Sequence, residues 1–357
     1  MKAALLGLLQ SGKSSILSAV SGKALPAHGS IAIDEAIVPV PDERLDWLAE
    51  YHKGRKKTVY ATIDCLDVPG LNFADEHGRA AAGRLIGQIR TVDMLVLVVR
   101  AFEDQTVPAY RNRVDPVRDL VELRTELLLA DLGLVTTRIE RLEKQAHKPT
   151  KTPAQDKAEL ALHKKLQEAI ESEKSISSVI ETEAEHELIK SFGFLTLKPI
   201  AVAVNTGEGQ LDKKYDLGGC IDESVPVITI CAKLAYELAQ LDADSRADFM
   251  AELGVTESAA GKFVKSCYTA LGLISFLTVG SDEIRAWSIK QGTAAHDAAG
   301  KVHTDIKRGF IRAETFSFDD LKELGSEKAL KAAGKIRLEG KEYVVRDGDV
   351  INFRFNI

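Results

Sequence analysis

The residues with the most evident chemistry lie near the N-terminus, where Gly7-Leu8-Leu9-Gln10-Ser11-Gly12-Lys13-Ser14 has the spacing G-x-x-x-x-G-K-[ST]. Two glycines let a backbone bend around an anion. Successive N–H groups and the positive end of a following helix then point at a β-phosphate, while the Lys13 ammonium bridges β- and γ-phosphates. The Ser14 hydroxyl is placed to meet Mg²⁺. Asp67-Val68-Pro69-Gly70 follows as D-x-x-G: the aspartate would hold the Mg²⁺ shell, and the Gly70 N–H would reach a γ-phosphate only in the triphosphate state. A third site is Asn205-Thr206-Gly207-Glu208, where a nucleobase would be read, with Cys231-Ala232-Lys233 as a base-contacting loop of the S-A-K type. Guanine-reading loops carry Asn-Lys-x-Asp, in which a short carboxylate accepts two hydrogen bonds and the lysine stem covers the ring. Here Glu208 is one methylene longer and Thr206 replaces the lysine, which predicts relaxed or adenine-leaning recognition.

These residues need strands and helices to hold them. Ala3 to Leu6 reads as a buried strand that runs into the glycine loop, and Ser15 to Val20 as the helix after it. Lys57 to Leu66 reads as one strand leading into D-x-x-G. Asp93 to Val99 and Ile200 to Val204 are short apolar runs rich in β-branched residues, expected of central parallel strands buried on both faces. Between them, apolar residues at helical spacing (Leu120, Leu123, Leu127, Leu128, Val135, Ile139 and Leu142) predict a helix over Pro116–Gln145. After a break at His147–Pro153 the helical pattern resumes over Ala154–Lys190, so an antiparallel helical hairpin is inserted into the sheet domain. Its charged residues read as solvated surface. Glu283–Lys290, Phe310–Phe318, Ile336–Val345 and Val350–Ile357 read as strands, with a helix over Phe318–Ala333, a small module of β-grasp kind.

The composition, 357 residues with 45% hydrophobic and 28% charged side chains, is that of a soluble globular protein. No apolar run reaches the roughly 20 residues of a membrane span. The N-terminal apolar segment ends at once in the glycine loop, unlike a signal peptide, so a cytoplasmic protein is expected. Cys65, Cys220, Cys231 and Cys267 are scattered and read as buried free thiols. A net charge of −6 argues against strong nonspecific binding to nucleic acid, and neither DNA nor a membrane is an expected partner.

Taken with the insertion opening Val114-Asp115-Pro116-Val117-Arg118-Asp119 and the closing stretch Gly340 to Phe355, these motifs resemble the YchF or Obg-like ATPases. The resemblance covers essentially the whole chain and is densest in Ile284–Trp287, Val302–Glu314 and the final strands. It implies an α/β fold: a P-loop nucleotide-binding domain over residues 1–114 and 191–272, a helical hairpin over 115–190, and a C-terminal TGS domain of β-grasp type over 273–357. It also implies an ATP-preferring, Mg²⁺-dependent hydrolase of low intrinsic rate that associates with ribosomes, with ribosomal RNA reached through the TGS and helical domains. Carried onto this sequence, Gly7, Gln10, Ser11, Gly12, Lys13, Ser14 and Ser15 hold phosphates and metal. Asp67 and Gly70 sense the γ-phosphate, Lys13 and Gly70 are the catalytic pair, Ser14 and Asp67 are the metal ligands, and Asn205, Glu208, Cys231 and Ala232 flank the base.

Several positions depart from the family pattern. Gln10 stands where Asn is usual and Ser30 where the first switch usually has Thr. Asn72–Ala82 replaces a glycine-rich stretch and favours helix, and no histidine lies between Phe102-Glu103 and Val114. Leu71, by contrast, is a feature the resembled family shares: it follows D-x-x-G, where many related GTPases carry a water-orienting glutamine, so slow hydrolysis is expected. Two alternatives stand beside the slow ATPase: a nucleotide-gated binding module with negligible turnover, and a GTP-binding switch protein.

Overall fold

The computed structural model describes residues 1–24, 32–53, 56–146 and 153–356. Twelve strands occur among them: β1 (Lys2–Leu6), β2 (Asp34–Pro39), β3 (Lys57–Val59), β4 (Thr62–Asp67), β5 (Met94–Arg100), β6 (Ile200–Asn205), β7 (Val227–Ile230), β8 (Leu273–Val279), β9 (Glu283–Lys290), β10 (Phe310–Ser317), β11 (Arg337–Glu339) and β12 (Asp349–Phe355). The chain forms two compact units, one of residues 1–36 and 65–256, the other of residues 37–64 and 257–357. Residues 37–64, expected in the first domain, thus group with the C-terminal part.

The first sheet has the order β2-β4-β1-β5-β6-β7. β5 is buried at every residue, as an apolar run sandwiched between helical layers must be. Parallel pairing of β1 with β5, β5 with β6 and β6 with β7 brings strand ends into line, Arg100 opposite Asn205 and Asn205 opposite Ile230. Because the chain leaves β1 in both directions across the sheet, the C-terminal end of β1 is a topological switch point, where open α/β sheets form a crevice. Gly7 begins there.

The insertion is a 31-residue helix, Pro116–Ala146, packed on a 19-residue helix, Pro153–Glu171. Val135, Ile139, Leu162, Leu166 and Ile170 form their shared core with Phe194. The helix expected to continue to Lys190 stops at Glu171 instead. Glu173 adopts a positive φ of 58°, and the Lys174 N–H closes the end on the Ala169 carbonyl. A new helix, Glu183–Ile189, then starts from the Thr182 and Glu185 capping box.

The second sheet has the order β11-β10-β12-β8-β9-β3 and packs Phe276, Phe310, Phe353 and Ile351 against the alanines of helix Ala295–Val302. It holds six strands rather than four. The single strand expected over 57–66 is two strands in different sheets, since Lys57–Val59 pairs with β9. The helix expected over 318–333 breaks at Gly325, whose φ is +74°, and restarts from the Ser326 cap. Of the strand expected over 336–345 only Arg337–Glu339 forms. Cys65, Cys231 and Cys267 are buried, whereas Cys220 is half-buried.

Candidate functional site

The loop after β1 is shaped by positions that tolerate no side chain. A Cβ on Gly7 would lie 2.5 Å from both Ser11 Oγ and the Val98 carbonyl. Gly12 has φ +87° and abuts Asn205, so it fails both conformationally and sterically for any other residue. Gln10 also takes a positive φ, 58°, where a non-glycine residue is strained. Helix Lys13–Ser21 begins at once, and Ser14 and Ser15 sit half-buried in its first turn.

Lys13 is 5% exposed, and its ammonium donates to the carbonyls of Gly7 (3.1 Å) and Leu8 (3.4 Å) and to Ser11 Oγ (3.5 Å). Burial lowers its pKa to about 8, against the opposing field of Asp67. Asp67 ends β4, also buried. Desolvation raises its carboxyl, while a hydrogen bond from Ser14 and the Lys13 charge pull it back. Its Oδ1 has no hydrogen-bond partner. A buried, unsatisfied carboxylate oxygen next to a serine hydroxyl is the hard-oxygen donor set that Mg²⁺ takes, so the residues fit that ion.

The D-x-x-G segment is zipped onto the loop. Leu71 N–H donates to the Gly7 carbonyl (3.0 Å) and Leu9 N–H to the Leu71 carbonyl (3.1 Å). A Cβ on Gly70 would stand 3.0 Å from Leu9 Cα. The Leu71 side chain is 1% exposed and packs in the core with Leu8 and Phe73. Helix Glu76–Gln88 follows, as the alanine run predicts. Ser30 lies outside the described residues.

Asn205 joins the third motif to the first. Its side-chain NH₂ donates to the Ser11 carbonyl (3.0 Å) and its Oδ1 accepts from Ala232 N–H (3.1 Å). Asn205 is 3% exposed, so Asn205→Ala strands both backbone groups and is expected to destabilise the protein by about 1–3 kcal/mol, read from urea denaturation. A loss under ~0.5 kcal/mol would show that the two bonds are dispensable. Cys231, in the N-cap position of helix Ala232–Ala239, is buried, which raises its thiol pKa. Glu208 is exposed and ion-paired to Lys233 at 3.0 Å.

Beside these motifs, the bracing role of Arg100 and the inward burial of Thr206 escape the sequence reading. Arg100, buried at the end of β5, donates to the carbonyls of Phe102, Val107 and Pro108 and stacks over the Phe102 ring at 4.2 Å. Phe102 in turn faces Gly12. Thr206 is buried, its hydroxyl bound to Tyr215 and Gln210. A lone arginine after an apolar run gives no sign that it braces a loop, whereas Lys233 was visible as part of the S-A-K-type triplet.

The family model "YchF-GTPase_C: Protein of unknown function (DUF933)" matches residues 273–356. The chain is 38% identical over 372 residues to "Ribosome-binding ATPase YchF" of Bacillus subtilis, covering 100% of both chains. The chain belongs to the YchF family. It is likewise 38% identical to "Obg-like ATPase 1" of Oryza sativa subsp. japonica, covering 100% of this chain and 92% of that one. Among solved structures, the Schizosaccharomyces pombe YchF GTPase superposes with a TM-score of 0.83 at 32% identity, over 99% of this chain and 97% of the other. The full-length match places this chain's β-grasp-like sheet and helical hairpin within the YchF architecture.

Proposed function

We propose that this YchF-family chain is a cytoplasmic, ribosome-associated P-loop protein that prefers ATP and hydrolyses it slowly with Mg²⁺. The observation that carries the reading is the Lys13 ammonium, held in a glycine-bounded loop against carbonyl oxygens where its charge is poorly matched. A triphosphate would supply the missing anion. Loop amides and the start of helix Lys13–Ser21 would bind β-phosphate oxygens, and Lys13 would span β- and γ-oxygens as charge moves toward the leaving group. Ser14 and Asp67 would hold the metal, whose role when bound is to neutralise phosphate charge. Gly70, tied to the loop through Leu71 and Leu9, would report the γ-phosphate by its N–H. Asn205 and Ala232 would frame the base, with Glu208 and Cys231 at its edge. The buried Leu71 leaves water to be oriented by another group, which favours a low rate. That same observation supports the second reading, a nucleotide-gated binding module with negligible turnover. The ribosome-binding names of the relatives support the partner, with the β-grasp and helical parts offered as its contact surfaces.

Competition of ATP and GTP against a fluorescent analogue in magnesium buffer tests the reading. Tighter binding of ATP is expected, with phosphate released slowly on the scale of about 1–100 s⁻¹ typical of kinases. GTP winning the competition would make this a GTP-binding switch protein, and saturable binding of neither would end the nucleotide reading.

A further inference from the structure

We propose that Lys233 sets the base preference of the site by occupying the Glu208 carboxylate that would otherwise read guanine. The proposal rests on the nucleotide-binding reading above and adds a residue to it. Guanine recognition by a loop of this kind needs a carboxylate free to accept from two adjacent N–H donors, and a lysine stem over the ring. Thr206, at the lysine's position, does not supply the stem. It is 2% exposed, and its hydroxyl is bound to Tyr215 Oη at 2.6 Å and Gln210 Oε1 at 3.0 Å, which turns the side chain into the protein.

Lys233 is placed to occupy the carboxylate. It is the second residue of helix Ala232–Ala239, and the Ala232 N–H bond to Asn205 holds that helix start against the Asn205–Glu208 turn. The Lys233 ammonium lies 3.0 Å from Glu208 Oε1, so its four-carbon stem bridges from the helix to the turn. A cation in the first turn of a helix opposes the helix dipole, and an acidic partner offsets that disadvantage. The bridge takes one carboxylate oxygen and cancels the charge. Guanine would have to displace the lysine to use Glu208. Adenine, which presents no matching pair of donors, loses nothing by leaving the bridge intact. Both side chains are more than half exposed without nucleotide, so the pair acts on selectivity rather than on folding.

The test measures the ratio of ATP to GTP affinity by competition, using the full-length chain and its variants Lys233→Met, Glu208→Ala and the double substitution. This ratio does not depend on how much of each sample is folded. Lys233→Met keeps an unbranched stem but frees the carboxylate, and is expected to shift the ratio toward GTP by roughly fivefold, the worth of a partly screened charge-assisted hydrogen bond. Glu208→Ala and the double variant are expected to stay within about twofold of wild type, because neither offers a free carboxylate. An unshifted ratio in Lys233→Met overturns the proposal. So does a shift that persists in the double variant, or one in Glu208→Ala as large as that of Lys233→Met. Those outcomes, with the wild type still binding nucleotide, leave the nucleotide reading standing; a wild type that binds neither ATP nor GTP overturns that reading instead.

Discussion

Lys13→Met is expected to give a protein more stable than the wild type in the absence of nucleotide, and no longer stabilised by it. The wild-type ammonium is almost fully buried, with backbone carbonyls and one hydroxyl as its hydrogen-bond acceptors. Its pKa falls to about 8 through desolvation, and that displacement corresponds to about 3 kcal/mol against the charged form. Methionine keeps the unbranched stem and removes the charge. Allowing for carbonyl groups left without a donor, a gain of about 1–2 kcal/mol is expected at pH 7 in nucleotide- and magnesium-free buffer. The sign with pH follows from proton counting. Between about pH 8 and roughly 10.4 the unfolded wild-type chain holds a proton that the folded protein has released, so wild-type stability rises over that window. The advantage of the variant should therefore be full below about pH 8 and close as pH approaches 10.4. Saturating ATP with Mg²⁺ should add about 2.7 kcal/mol to the wild type at a hundredfold excess over Kd and nothing to the variant. Urea denaturation with and without nucleotide reads all of this. A variant less stable than wild type that still responds to ATP would remove Lys13 from the phosphate site.

How much of this was legible in the sequence depended on whether the cause was local. β5 and β6 announced themselves because a strand covered on both faces must be apolar throughout, and Met94–Val99 is. The glycine loop was legible because its spacing is itself the geometry, and Gly7 and Gly12 have no room for a side chain. The 31-residue helix followed from its leucine spacing. β3 was not legible, since three residues with a partner strand beyond residue 280 carry no local pattern that separates them from the adjoining β4. The inward turn of Thr206 depends on Tyr215 and Gln210, whose meeting is fixed by the loop after β6. The clearest failure of pattern lies in the insertion, whose charged residues read as solvated surface. Asp131 is 0% exposed. A single carboxylate on an amphipathic helix looks like any surface acid until its partners are known, and these come from a turn forty residues earlier and a loop sixty later, as the 41-, 64- and 65-residue separations of its bonds record.

Those partners make Asp131→Ala a strongly destabilising substitution in the first unit, by about 3 kcal/mol. One carboxylate oxygen meets Arg90 at 2.6 Å and the Leu195 N–H at 3.2 Å. The other accepts from the Thr196 N–H and hydroxyl at 2.9 and 2.8 Å. The aspartate thereby ties three segments together: the turn after helix Glu76–Gln88, the middle of helix Pro116–Ala146, and the return from the insertion into β6. Alanine would leave the Arg90 guanidinium with only the Ala130 and Gly193 carbonyls, and the Leu195 N–H buried without an acceptor. The damage then comes from what is stranded, not from the pair's net worth. Arg90→Met combined with Asp131→Ala should accordingly be more stable than Asp131→Ala alone, by about 1 kcal/mol, because no unmatched charge remains. Urea midpoints at constant m-value measure both quantities. If the single variant lost under ~1 kcal/mol, or the double variant lost as much as the sum of the two single changes, the carboxylate would be a bystander and the insertion would be held by its apolar core.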